Sequence, residues 1–136
     1  CADHETYWLT EEDDPLKAAL AFVREGVKLA IVTCGAKGAV WARKSADGKN
    51  TYGSIPAPPV SVVDTTGAGD AFMSALVASL TLSDRKLQAL SDDEITSALS
   101  FAAHIGSLAV TQKGAVHGIP EMSTPELSGV AERVKV

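Results

Sequence analysis

The sequence has little cysteine, no basic excess and no long apolar run. Two cysteines among 136 residues do not make a disulfide framework, so we expect a cytoplasmic setting. Asp and Glu together number 17 against 12 Lys and Arg, which gives a net charge of −5 and argues against a nucleic-acid surface. No apolar stretch reaches the ~18 residues of a membrane span, and no secretory leader is recognisable. With 46% hydrophobic and 21% charged residues, the composition predicts one globular domain.

Apolar residues recur in an order that predicts alternating strands and helices. Pro15 follows Asp14 at the first turn of a helix that Gly26 ends, and Ser91 with Glu94 forms a capping box for a later helix. Such alternation is typical of an α/β fold with a largely parallel sheet flanked by helices. The predicted helices are 15–26, 69–80, 91–109 and a short one from 125, and the predicted strands are 29–33, 38–42, 51–55 and 60–63. Residues 46–50 are predicted to form a hairpin turn with Asp-Gly at its centre, so the strand at 51–55 is expected to pair back on the one before it.

The most informative segment is Asp-Thr-Thr-Gly-Ala-Gly-Asp at residues 64–70. It lies between the predicted strand at 60–63 and a long apolar helix. Gly67 and Gly69 allow a tight turn and a close backbone approach to a ligand. The free N–H groups and the dipole at a helix start favour an anion such as phosphate. The carboxylate of Asp70 lies at the rim of this anion site. A negative charge is unfavourable beside a bound anion, so its presence there suggests a catalytic role.

Residues 64–70 closely resemble the second signature of the ribokinase/PfkB sugar kinase family, D-T-x-G-A-G-D, at every defined position. The resemblance implies that Asp70 is the catalytic base and that Gly67, Ala68 and Gly69 form the anion hole. It implies transfer of the γ-phosphoryl group of ATP, bound with Mg²⁺, to a sugar hydroxyl. Both roles fit phosphoryl transfer, which needs positioning, charge stabilisation and a base within hydrogen-bond reach.

An earlier segment, Thr-Cys-Gly-Ala-Lys-Gly at residues 33–38, is similar to the T-x-G-x-x-G segment of the same family. The resemblance implies that Thr33, Gly35 and Gly38 border the ATP. The alternative is a simple turn between two strands. A third segment, on the helix predicted at 91–109, has small residues where the family's adenine pocket falls, which makes Ala103 and Gly106 candidate ATP contacts. Tight helix packing is the alternative interpretation there.

The resemblance also suggests two metal sites. Backbone carbonyls would hold a monovalent cation such as K⁺, although the side chain of Asp64 could instead cap the turn. Glu5 would act indirectly on Mg²⁺, since it occupies the last position of the family's N-x-x-E segment; Ala2 replaces the Asn, and Glu5 could simply begin a surface helix. The candidate cation ligands are Asp64, Thr66, Ala109, Gln112 and Gly114, with Gly118 as a sixth.

The resemblance covers nearly the whole chain but places it late in a kinase about twice as long. We therefore expect residues 1–136 to be the C-terminal nucleotide-binding and catalytic portion, without the N-terminal part and the lid through which a homodimer would form. We expect this portion alone to be inactive. Residues 7–10 resemble fructokinase-like members, which favours fructose as substrate. Ribose, 2-keto-3-deoxygluconate and nucleosides stay open, and so does a non-catalytic, nucleotide-binding or regulatory relic of the fold.

Overall fold

The computed structural model describes residues 1–82 and 85–119. The short helix predicted from residue 125 lies outside these residues. Single 3₁₀ turns occur at Asp3–Glu5, Gly35–Lys37 and Leu87–Ala89. The α-helices are α1 (Thr6–Thr10), α2 (Pro15–Arg24), α3 (Ala68–Leu82) and α4 (Asp92–Ala109), and the strands are β1 (Leu29–Thr33), β2 (Ala39–Lys44) and β3 (Asn50–Ile55).

The predicted starts of α2 and α4 are confirmed. The carboxylate of Asp14 accepts a hydrogen bond of 2.9 Å from the N–H of Lys17, and Pro15 occupies the first position of α2. Ser91 and Glu94 form the capping box of α4: the serine hydroxyl accepts from the Glu94 N–H, and the glutamate carboxylate accepts from the Ser91 N–H. Side-chain caps of this kind are local, which is why the sequence alone predicts the capping box of α4.

The three described strands form an antiparallel sheet in the order β1–β2–β3. The predicted return of β3 along β2 is confirmed, whereas the expected parallel arrangement is wrong for β1 and β2. Residues 34–38 link β1 to β2, and residues 45–49 link β2 to β3. Links this short suit antiparallel neighbours, because a parallel pair needs a crossover of about a dozen residues or more. The parallel pairing that the structure does describe is a single bridge between Ala2 and Thr33, on the open side of β1.

Residues 60–63 were predicted to form a strand, and this is also wrong. They run as irregular backbone after Pro56, Pro58 and Pro59. Val62 and Val63 are about 60% exposed, and the Val63 N–H donates to the carbonyl of Val110 rather than to a neighbouring strand. The β-branched residues at 60–63 favour extended backbone, but no described strand lies beside this segment to pair with it.

The sheet separates two apolar clusters, in agreement with the prediction of a sheet flanked by helices. On one face, α2 buries Ala18, Ala19 and Val23 against alternate residues of β1 and against β2. On the other face, α3 and α4 pack against each other, and α4 packs against β3. This second cluster includes Trp41, Ile55, Ala71, Phe72, Leu76, Ile95, Leu99, Ala102 and Ile105. Within residues 1–82 and 85–119, no helix is both long and apolar enough to cross a membrane.

Candidate active site

The turn at residues 64–67 leads directly into α3. Asp64 begins it by accepting a 2.9 Å hydrogen bond from the N–H of Thr66, two residues on. Gly67 has a φ of 82°, a conformation that side chains disfavour, and its carbonyl accepts from the N–H of Ala71. The predicted glycine-rich entry to a helix is therefore observed, and α3 begins at Ala68.

The turn leaves three backbone N–H groups without a protein acceptor among the described residues: those of Gly67, Gly69 and Asp70. The N–H of Ala68 is directed to the carbonyl of Thr65 at 3.4 Å, which is a long hydrogen bond. Of the predicted anion hole, Gly67 and Gly69 thus have free donors, while that of Ala68 is partly used. The free N–H of Asp70 was missed in the sequence, although any residue in the first turn of a helix has such a donor.

Nothing in the described residues 1–82 and 85–119 requires glycine at position 69. An added Cβ would meet no described protein atom within 4 Å, and φ at Gly69 does not lie in the region that favours glycine. Glycine inside a helix also costs roughly 1 kcal/mol relative to alanine. Space kept open beside a free N–H is what the close approach of a ligand requires.

Asp70 follows at the third position of α3, where it is exposed. Its carboxylate makes no hydrogen bond or ion pair with the described residues. The next two residues, Ala71 and Phe72, are buried in the core against α4, so the helix start that holds the carboxylate is firmly packed. An unpaired carboxylate on a rigid helix start, next to free N–H donors, is free to accept a proton from a ligand.

The segment after α4 packs against this turn. The N–H of Gly114 donates to the second carboxylate oxygen of Asp64 at 2.9 Å, and the N–H groups of Val63 and Asp64 both donate to the carbonyl of Val110. Hydrogen bonding from Thr66, and then from the Gly114 amide, lowers the pKa of Asp64 to about 2. The capping role considered for the Asp64 side chain is therefore observed. The same side chain also accepts from Gly114, fifty residues later in the sequence.

The candidate cation ligands lie on two segments that hydrogen bonds join, the turn at 64–67 and the end of α4 with residues 110–114. Because Asp64 joins the turn to residues 110–114, both groups of candidate carbonyls belong to one assembly. None of these carbonyl oxygens accepts a hydrogen bond from the described residues. Free backbone carbonyls are the ligands that replace the hydration shell of K⁺, so these residues fit the predicted ion. The carbonyls are those of Asp64, Thr66, Ala109, Gln112 and Gly114. The sixth candidate, Gly118, packs closely on Leu108 and Ala109.

The turn at residues 33–38 closes on itself and on the chain after β3. The N–H of Cys34 donates to the carbonyl of Gly38 at 2.7 Å, and Gly35 and Gly38 both have positive φ. A Cβ on Gly38 would lie 2.0 Å from the carbonyl oxygen of Ile55. Burial, followed by the charge of Asp3, raises the pKa of the Cys34 thiol. The turn between two strands is therefore observed, and contact of Thr33, Gly35 and Gly38 with ATP stays a prediction.

Glu5 is exposed, whereas the helix candidates Gly106 and Ala103 are buried and half-buried. The carboxylate of Glu5 accepts a hydrogen bond from the N–H of Ala2 at 2.8 Å and immediately precedes α1, as the surface-helix interpretation proposed. Through the bridge between Ala2 and Thr33, Glu5 lies close to the end of β1. Gly106 is buried, and a Cβ there would lie 3.1 Å from the carbonyl oxygen of Ala68. Packing against α3 thus explains Gly106, while Ala103 is half-buried.

Two groups of predicted residues therefore emerge. The turn at 64–70, the end of α4 and residues 110–114 form one assembly, and Thr33 with Glu5 forms another at the end of β1. Ala39, which follows Gly38, and Ala71, which follows Asp70, belong to the same apolar cluster. Among residues 1–82 and 85–119, no group of three or more His, Cys, Asp or Glu residues could hold a metal ion by side chains.

Several known proteins are similar to this chain over most of its length. Fructokinase-2 of Zea mays is 33% identical over 126 residues, which is 92% of this chain and 36% of the relative. The solved structure of Vibrio cholerae fructokinase with fructose, ADP and calcium has a TM-score of 0.72 and 31% identity over 88% of this chain and 36% of that one. A putative ribokinase II of E. coli, solved with ATP and Mg²⁺, has a TM-score of 0.69 and 30% identity over 97% and 38%.

These similarities establish a ribokinase-like fold, and the chain spans about a third of the length of the curated relatives it matches. The family model described as pfkB family carbohydrate kinase matches residues 1–122. The chain therefore belongs to the pfkB family of carbohydrate kinases.

Proposed function

We propose that the protein containing this chain transfers the γ-phosphoryl group of ATP to a sugar hydroxyl, with Asp70 as the catalytic base. The observation that carries the proposal is the combination at the start of α3: free N–H groups at Gly67, Gly69 and Asp70 beside an unpaired, exposed carboxylate. The N–H groups suit the developing negative charge of a transferring phosphoryl group. The carboxylate can take the proton of the sugar hydroxyl that attacks this phosphoryl group.

In the proposed reaction, the Asp70 carboxylate accepts the proton of the sugar hydroxyl. The hydroxyl oxygen forms a bond to the γ-phosphorus while the bond from that phosphorus to the bridging oxygen breaks, and ADP leaves. Gly67, Gly69 and Asp70 donate their N–H groups to the phosphoryl oxygens. Mg²⁺, bound with the phosphates, supplies charge neutralisation, and Glu5 is the carboxylate proposed to act on it indirectly. The carbonyls around Asp64 are proposed to hold K⁺.

Thr33, Gly35 and Gly38 are proposed to border the nucleotide, and Ala103 and Gly106 to lie near the adenine. Structural relatives support this nucleotide region, since one was solved with ADP and another with ATP and Mg²⁺. Fructose is the proposed sugar because fructokinases of plants and of Vibrio are among the relatives. A cytoplasmic location and a homodimer are also part of the proposal.

The test of Asp70 uses the protein at the length its gene encodes, with fructose and MgATP. Asp70→Asn is expected to lower turnover by about 100-fold or more, because the base is lost while the backbone donors stay. Asp93→Asn is the matched control, since Asp93 is also an exposed aspartate in the first turn of a helix. Turnover of Asp70→Asn equal to that of Asp93→Asn would refute the role of Asp70.

Two further measurements separate the alternatives. Comparison of kcat/KM for fructose, ribose, 2-keto-3-deoxygluconate and a nucleoside tests the sugar, and fructose is expected to give the highest value. If the wild-type protein binds ATP but phosphorylates none of these acceptors, the non-catalytic relic replaces the kinase. If it does not bind ATP at all, the proposed nucleotide site is wrong.

A further inference from the structure

The carboxylate of Asp64 joins two segments that lie far apart in the sequence. One oxygen accepts from the N–H of Thr66 and the other from the N–H of Gly114, each at 2.9 Å. The N–H groups of Val63 and Asp64 donate to the carbonyl of Val110, at 2.8 and 3.2 Å. Three of these four hydrogen bonds cross from the turn before α3 to the segment after α4.

Gly67 packs against Ala115, in the segment that these three hydrogen bonds join to the turn. An added Cβ on Gly67 would be 2.7 Å from the carbonyl oxygen of Ala115 and 2.8 Å from its Cβ, so the backbone of Gly67 rests directly on Ala115. Ala115 follows Gly114, whose N–H the Asp64 carboxylate holds. The position of Gly67 therefore depends on a segment that Asp64 keeps in place.

Gly67 in turn sets the first turn of α3. Its carbonyl accepts from the N–H of Ala71 at 2.9 Å, and its own N–H is one of the three free donors. The two other free donors, on Gly69 and Asp70, lie within the same turn of the helix. A shift of Gly67 would thus move all three donors relative to one another, and anion holes tolerate little displacement.

From these contacts we infer that Asp64 is a positioning residue: its side chain, through Gly114 and Ala115, holds the phosphate-binding turn in its working geometry. This inference rests on the proposed phosphate site. It differs from the predicted cation site, which uses backbone carbonyls, because here both carboxylate oxygens receive protein N–H groups. Charge-assisted hydrogen bonds are about twice as strong as neutral ones, which suits a carboxylate to this task.

The test compares Asp64→Ala and Asp64→Asn with Asp47→Asn. Asp47 is a matched control, because its carboxylate also accepts a backbone N–H two residues on, from Lys49, but in the turn between β2 and β3. Hydrogen exchange is expected to rise about tenfold at the Gly114 and Thr66 amides in Asp64→Ala and less in Asp64→Asn, which keeps one acceptor oxygen. It is expected to stay unchanged at those amides in Asp47→Asn.

The second readout is ligand binding, which separates phosphate positioning from general loosening. Asp64→Ala is expected to weaken binding of MgATP about tenfold, with adenosine affected by less than about twofold and kcat lowered more than the KM for fructose rises. Equal losses for ATP and adenosine, or unchanged exchange at Gly114, would overturn the inference even if the protein is an active kinase. If ATP binding falls selectively but no wild-type turnover is found, the positioning role stands and the kinase proposal fails.

Discussion

Arg43 of β2 and Asp92, the first residue of α4, form an ion pair in which the arginine Nε lies 2.9 Å from a carboxylate oxygen. The Arg43 side chain is 5% exposed, whereas that of Asp92 is 44% exposed. The remaining guanidinium nitrogens donate to the carbonyls of Leu87 and Leu90, and Thr51 of β3 donates to the same Asp92 oxygen. The sheet is thereby fastened to the start of the helix whose other end lies beside the candidate active site.

This asymmetry predicts unequal costs of removing the two partners. Arg43→Met keeps an apolar stem but leaves the buried carbonyl of Leu90 without its donor, and we expect a loss of about 3 kcal/mol in the free energy of unfolding. Asp92→Asn is expected to cost about 1 kcal/mol, since half-exposed charges are screened by water. Urea denaturation followed by circular dichroism measures both. Equal effects would show that the guanidinium is not anchored as described.

The turn at residues 33–38 gives a prediction about close backbone packing. Gly38→Ala would place a Cβ 2.0 Å from the Ile55 carbonyl oxygen and is expected to destabilise the protein by about 3 kcal/mol or more. Gly26→Ala is the control, because Gly26 has nearly the same φ, 99° against 96°, but open space around it. It should cost only the strain of the left-handed backbone, about 1 kcal/mol. If both variants lose the same stability in urea, strain rather than packing explains Gly38.

How far the sequence predicts this molecule depends on how local each feature is. The glycine turn at 64–67, the capping of α4 by Ser91 and the turn between β2 and β3 follow from neighbouring residues, and all three are observed. The expected parallel direction of β1 rests on the fold class, and the short link between β1 and β2 makes that pair antiparallel instead. The contact between Asp64 and Gly114 joins residues fifty positions apart, and no local pattern announces it. Likewise, a single arginine in a strand gives no sign that it will be buried.

The lowered pKa of Asp64 predicts a dependence of stability on acid. In the folded protein this pKa is about 2, against 3.8 for a free aspartate, so the unfolded chain binds the proton more readily. The stability that Asp64 contributes is therefore complete above about pH 5 and is lost as the pH falls towards 2. We expect the stability difference between wild type and Asp64→Asn to be constant from neutral pH to about pH 5 and to narrow below it. A difference that stays constant down to pH 2 would contradict the described hydrogen bonds.

Substitutions at Gly106 and Ala103 distinguish residues of α4 that pack against α3 from residues that contact the ligand. Gly106→Val would press on the Ala68 carbonyl and on Phe72, and we expect a loss of about 2–3 kcal/mol in the free energy of unfolding. Ala103 is half-buried one turn earlier, so Ala103→Val should change stability by less than about 1 kcal/mol but weaken ATP binding if adenine lies there. Isothermal titration with ATP, alongside urea denaturation, measures both. Unchanged ATP affinity in Ala103→Val would remove that residue from the proposed adenine site.

Gly69 offers the sharpest prediction, because stability and function should move in opposite directions. A Cβ at this position meets no described protein atom, so Gly69→Ala is expected to stabilise the protein by up to about 1 kcal/mol through better helix propensity. The same methyl group would occupy the space beside the free N–H groups, so the affinity for ATP should fall by about tenfold or more while binding of adenosine changes little. Ser74→Ala, at an exposed position further along α3, controls for changes that merely alter the helix surface. A Gly69→Ala protein that is more stable and binds ATP normally would refute the proposal that phosphate binds at the start of α3.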